Sequence, residues 1–280
     1  MSDEIDEYFA DARARRDATF ERLAAHDVVE VVGVVGVDGV TAGKFKGDEL
    51  WDASFKLEAW RAGGGAVLSQ PLKVWRRVDD DELQRLKAAI PADTVVGIAA
   101  RLDSGSSSGA PQALLDEVRG AVTTDTELNG RAEALRQPVT REDREFGTLT
   151  LNRFVRFFEG RTTWLGESID LVIHASDDGQ VAAALEVARA ICAEQVAWDA
   201  KILDRAVEEL LPLKNDFWLD EGEPALTAAA FRSRLERSSL VAYPDGSFSF
   251  YLGDGQIFLG HTIEVKGSLS EGVTEAALAG

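Results

Sequence analysis

The sequence predicts an α+β fold of two domains, each a mostly antiparallel sheet with packed helices. Three observations lead there. Runs of alternating apolar and polar residues end in tight-turn residues, as in "PDGSFSFYLGDG" at 244–255. Stretches with helical spacing open on Asp or Thr caps. A polar segment, 123–144, separates two regions that each carry both patterns, which puts the domain boundary near 140 and gives domains of 1–140 and 141–280.

In chain order, residues 3–25 read as a helix with Ile5, Phe9, Ala12, Phe20 and Leu23 on one face, interrupted by Arg16. The valine run after it and the Asp38-Gly39 turn predict a hairpin, since both turn positions need positive φ. "SFKLEAW" and "PLKVWRRV" read as strands. Asp79 or Asp80 caps a helix bearing Leu83, Leu86 and Ile90, stopped by Pro91. "TVVGIAARL" is a strand, and a short helix is expected around Leu114–Val118. In the second half, residues 146–176 read as about three strands with turns near Glu159-Gly160 and Leu165-Gly166. Asp177 or Asp178 caps a helical region that runs to about Leu211, either one helix or two with a break near Trp198, and Pro212 closes it. Thr227 caps a short helix with Phe231 and Leu235, and strands complete the chain. On the last strand Ile257, Leu259, His261, Ile263 and Val265 fall on one face unless Gly260 introduces a bulge, which places His261 in an apolar row, and Asp254 is a turn residue.

Composition narrows the function. Of 280 residues, 45% are hydrophobic and 28% charged, the balance of a globular protein. Net charge is -19, with 17 basic against 25 acidic side chains up to residue 140 and 13 against 24 after it. Nucleic acid and anionic membrane are poor partners for such a chain, because both are bound through clustered Lys and Arg. A basic protein partner or a cationic ligand fits better. One cysteine, Cys192, allows no intrachain disulfide and no multi-cysteine zinc site. No signal peptide and no apolar run of roughly 20 residues is present, so a cytoplasmic location is expected.

"FGTLTLNR" at 146–153, Trp164 in "TTWLG", "LPLKNDFW" with Asn215 and Trp218, and the ending "FSFYLGDGQIFLGHTIEV" with "EAALAG" carry a resemblance. Residues 146–280 resemble the bacterial family known as domain of unknown function 2262. The resemblance implies a compact domain of a sheet and packed helices and carries no catalytic residues or cofactor. By analogy it suggests an immunity-protein-like role.

The chain's own chemistry is sparse. His26, His174 and His261 form no helical i, i+4 pair, so no metal site is assigned, and neither is a cofactor. "GSSSG" at 105–109 matches the nucleophile-elbow pattern around Ser107 by composition, but it does not follow its strand directly. The acidic loop Asp220-Glu221-Gly222-Glu223 beside Trp218 is a candidate acidic and aromatic docking surface. No catalytic residue is assigned; the candidate functional surface comprises His261, His174, Asp254, Trp164, Trp218 and Asn215. Two readings compete. One is a non-catalytic protein-interaction module, immunity-protein-like. The other is a hydrolase or small-molecule-binding enzyme with a site around His261 and His174. A regulatory ligand-binding domain is a third, weaker one.

Overall fold

A computed structural model of the protein describes residues 2–105, 109–175 and 177–279, with side chains from residue 9 onward. Ile5 and Ser107 therefore lie outside the described side chains. The chain divides into two compact units, Met1–Gln137 and Pro138–Gly280, both α+β.

The N-terminal unit begins with helix α1 (Ser2–Ala24). Six strands follow: β1 (Val28–Val35), β2 (Thr41–Gly43), β3 (Trp51–Ala62), β4 (Leu72–Val78), β5 (Val95–Asp103) and β6 (Gln112–Ala121). The order is β1-β5-β6-β4-β3-β2, and β1 also pairs with β3, so five strands close on themselves. Closure explains the first departure from the sequence reading. The Asp38-Gly39 turn does join two strands, but β1 and β2 both pair with β3 instead of with each other. Val31, Phe55, Leu72, Val74, Ile98 and Ala113 form the enclosed core. Helix α2 (Asp80–Ala89), capped by Asp79, adds Leu83 and Leu86 to it.

The helix expected at Leu114–Val118 is the middle of β6. Its periodicity is too short to separate helix from strand, and pairing with β5 and β4 decides it. The polar stretch read as a boundary contains helix α3 (Thr126–Arg136), capped by Asp125, whose Leu128 and Ala132 bury against Val34, Ala59 and Val95 on the outside of the closed sheet. Arg16, the break in the stripe of α1, faces that sheet and donates to Asp48 at 2.5 Å and Asp52 at 2.8 Å. The interruption is thus an ion-pair anchor.

The C-terminal unit is one eight-stranded sheet in which neighbours in space are neighbours in sequence, β14-β13-β12-β11-β10-β9-β8-β7. The first four strands are β7 (Thr140–Asp143), β8 (Gly147–Asn152), β9 (Phe157–Trp164) and β10 (Glu167–Ile173). The last four are β11 (Glu236–Ala242), β12 (Ser247–Gly253), β13 (Thr262–Ser268) and β14 (Gly272–Ala279). Only the middle pair, β10 and β11, is parallel, and a parallel pair needs a crossover. Helices α4 (Asp178–Ala193), α5 (Gln195–Phe217) and α6 (Ala228–Arg234) supply it. They cover one sheet face with Ile169, Leu171, Ile173, Leu240, Phe248, Phe250, Ile263 and Val265.

Three sequence expectations are corrected in this unit. Gly160 lies inside β9, where an added Cβ would stand 2.5 Å from Leu149, so it is a packing glycine and no turn. The helical region breaks at Glu194, before Trp198. Pro212 is exposed within α5 and does not end it, because a single missing N–H can be borne on the solvent side.

Candidate functional site

Four of the six candidate residues meet at one corner of the C-terminal unit, where the end of α5, the loop after it and the β12–β13 connection converge. The corner is built on Asp254, which is 3% exposed. Its Oδ1 accepts the Gln256 N–H at 3.0 Å, and its Oδ2 accepts the N–H groups of Phe258 at 2.6 Å and Gly260 at 3.0 Å. Asp254 is therefore a turn residue because its carboxylate caps three backbone donors; the left-handed positions belong to Gly255, Gln256, Leu259 and Gly260. Gly255 has φ +54 and an added Cβ would run into the Arg234 carbonyl, so only glycine fits.

This capped turn overturns the apolar row predicted for the last strand. Strand β13 starts at Thr262, and residues 255–260 form a turn that points Ile257 and Phe258 inward and Leu259 outward. His261 is exposed, with its ring 5.8 Å from that of Trp218 in an edge-on contact. It does not prop up the core.

Trp218 is half-buried and packs edge-on against Phe258 at 5.5 Å, which in turn meets Phe231 of α6 at 6.2 Å. Asn215 pins the following loop from both sides: its amide donates to the Leu226 carbonyl at 3.0 Å and accepts the Leu226 N–H at 2.8 Å. Lys214, 4% exposed, donates to the Trp218 carbonyl at 2.6 Å and to Glu223 at 2.8 Å. That hydrogen bond holds the Glu223 carboxyl below the usual range. Every polar group holding this corner together has its partner inside the corner.

The corner also leaves two large apolar side chains open to solvent. Phe217 is 80% exposed and Leu259 is 81% exposed, the largest values among the exposed large hydrophobic side chains described. Both line one shallow hollow of about 270 Å³ together with Trp218, Ile257 and Asp220. Leu259 holds φ +58, a conformation that a side chain of its kind seldom adopts. Asp220 and Glu223 line the hollow with Lys214 and Gln256, and Asp216 and Glu221 are exposed neighbours of these residues in the chain. Phe217 and Leu259 escaped the sequence reading. The adjacent pair Phe217-Trp218 was the available signal, since neighbouring helical positions point in different directions and cannot both face one core.

The other two candidates lie elsewhere. Trp164 is 0% exposed, so it is a core residue and lies on no surface. Its indole donates to Asp199 at 2.9 Å, and its ring meets Phe250 at 4.8 Å. Asp199 also takes both ends of the Arg237 guanidinium, at 2.9 and 2.7 Å. Burial opposes its charge, but these donors hold its carboxyl below the ordinary aspartate range. His174 stacks between Phe157 at 4.0 Å and Tyr243 at 4.9 Å, beside the end of β11. That is the Ser247 end of β12, whereas His261 precedes Thr262, the partner of Gly253 at the opposite end. Seven residues of strand, about 20 Å, separate the two ends, so His174 and His261 do not converge. Cys192 is buried, and burial pushes its thiol up, away from the reactive thiolate.

Residues 16–135 match a domain of unknown function, DUF7021. Among curated proteins no match was found. Residues 143–278 match the family described as an uncharacterized protein conserved in bacteria, DUF2262, and span the sheet from β8 to all but the last residue of β14, the crossover helices and the Asp254 corner. The C-terminal half of this chain therefore belongs to the DUF2262 family.

Proposed function

We propose that the protein is a non-catalytic interaction module that docks a basic protein through the Phe217–Leu259 corner. The observation that carries this reading is the pairing of two nearly bare apolar side chains across one hollow, on a frame whose polar groups are already satisfied. Apolar anchors ringed by charge are what protein interfaces concentrate. Asp220 in the lining, with exposed Asp216 and Glu221 near it in the chain and a net charge of -19, favours a cationic partner and speeds its approach. Immunity-protein-like masking of a basic partner is one form such docking takes. The separation of His174 from His261 supports this reading over a hydrolase site built from that pair.

The test is a peptide-display selection against the whole protein at low salt, followed by affinity measurement on the enriched peptides. Enrichment of cationic sequences with a bulky apolar residue is expected. Their affinity should fall about tenfold or more in Phe217→Ser and in Leu259→Ser, since anchors of this kind carry most of an interface. No enrichment, or peptides that bind both variants as well as the parent, overturns the reading.

A further inference from the structure

A second site lies in the N-terminal unit, on the outer face of the closed sheet. Strands β2, β3 and β4 present Thr41, Ser54 and Trp75 in register across that face, and α1 runs over it with Phe20 edge-on to Trp75 at 6.2 Å. Between them is an open pocket of about 540 Å³, within the range of small-molecule sites. The Trp75 ring, Phe45 and Ala42 form part of its wall.

Its polar groups are out of balance. The Trp75 indole Nε1 is buried and has no hydrogen-bond acceptor among the described residues. Buried indole N–H groups ordinarily find a partner, and one without costs stability. Beside it, the Lys73 ammonium lies 3.8 Å from the centre of the Trp75 ring and makes no hydrogen bond or ion pair to a described residue. Burial, and then the neighbouring Lys56, push Lys73 below the ordinary lysine range. Lys56 stands directly opposite Lys73 in the β3–β4 register, a like-charge pair that destabilises a sheet unless something offsets it. Arg16 and Lys44 also line the pocket. The single lining carboxylate, Asp52, is occupied by Arg16 at 2.8 Å and Arg77 at 3.3 Å. With Arg16 paired to Asp48 and Asp52, Lys73 and Lys44 are the lining cations without a carboxylate partner among the described residues, so the hollow is basic on a chain of net charge -19.

An indole N–H without an acceptor, an ammonium whose contact is the face of the Trp75 ring, a second lysine without a carboxylate and an aromatic wall call for one kind of occupant. We propose that the pocket binds a small organic anion, its carboxylate or phosphate oxygens accepting from the Trp75 indole and the Lys73 ammonium and its flat apolar body lying against the aromatic wall. Thr41 and Ser54, whose hydroxyls lie 3.5 Å apart, add further hydrogen-bonding capacity at the pocket wall. The site shares no residue with the docking corner, so neither reading depends on the other.

The experiment follows the indole N–H resonances of the whole protein by ¹⁵N NMR. The Trp75 signal is assigned as the one absent from Trp75→Phe. Benzoate, indole-3-acetate, adenosine monophosphate and inorganic phosphate are titrated separately at constant ionic strength. A saturable downfield shift of the Trp75 signal is expected with at least one aromatic anion. A carboxylate or a phosphate preference identifies the head group, and a weaker response to inorganic phosphate shows that the apolar body contributes. Lys73→Met should weaken the binding about tenfold or more, and Trp75→Phe, read through the remaining resonances, by about tenfold, the worth of one hydrogen bond. Phe217→Ser should leave it unchanged. The proposal is overturned if no probe moves the Trp75 signal saturably, or if Lys73→Met and Trp75→Phe bind as the parent does.

Discussion

Lys214 is buried and Lys73 half-buried, one in each unit, and they are treated in opposite ways. Lys214 is sealed against the end of α5 with a carbonyl and a carboxylate on its ammonium. Lys73 stands over an indole ring with no acceptor and with a second lysine across the ladder. A buried charge that has its partners is a piece of the frame. One kept without them persists at a cost in stability, and such costs gather where a ligand completes the site. By that criterion the corner around Lys214 offers its uncovered apolar surface, and the groove around Lys73 offers its unmet donors.

The strongest way to sharpen the comparison is to unmake a completed cation. Arg237 is satisfied twice over by Asp199, which also receives the Trp164 indole. Asp199→Ala strands both donors and should cost about 3–5 kcal/mol, measured by urea unfolding at neutral pH. The acid response has a definite sign. Because the folded carboxyl lies below the ordinary value of 3.8, its contribution is complete above that value and is lost as pH falls through the depressed one. Asp199→Asn should remove that part of the acid dependence; an unchanged acid limb would show that Asp199 is not a source of it.

Lys214→Met comes next. It leaves the Trp218 carbonyl without its donor, and a loss of about 1–3 kcal/mol is expected in the same measurement. Glu223, now held down mainly by Lys214, should titrate higher in the variant, which carboxyl chemical shifts would read directly. A variant as stable as the parent, with Glu223 unmoved, would put Lys214 in the same class as Lys73 and end the contrast.

How far the sequence foretold these sites follows from the physics of each. Strands with clean alternation, such as 247–253, were legible because one face is buried. Caps at Asp79, Asp177 and Thr227 were legible because their rule is local. Strand β6 was not, because a five-residue pattern is too short to separate the two periods and its pairing partners, the preceding β5 and the more distant β4, lie outside it. His261 was misplaced for a similar reason: alternation counted straight through Gly255–Gly260 ignores a turn held by one buried carboxylate. In the groove, Lys73 and Trp75 alternate with the buried Leu72 and Val74, which puts them on the other face of the strand. That α1 roofs them, with Arg16 as its anchor, is tertiary information that no spacing within the strand encodes.

The smallest expected effect is the most discriminating one. Lys73→Met keeps the apolar stem over Trp75 and removes the ammonium together with its repulsion from Lys56. If the charge contributes nothing to the fold, the variant should be as stable as the parent or more stable by up to about 1 kcal/mol. The sign again follows from linkage. A lysine whose folded value lies below the ordinary 10.5 burdens the fold at neutral pH, and the burden lifts as pH rises through the depressed value towards the ordinary one. The parent should therefore gain on the variant between neutral and alkaline pH, when unfolding is followed at both. A clear loss of stability in Lys73→Met at neutral pH would mean that the ammonium already has what it needs within the fold. The groove would then be a packed surface like the one around Lys214, and the contrast from which its ligand was inferred would disappear.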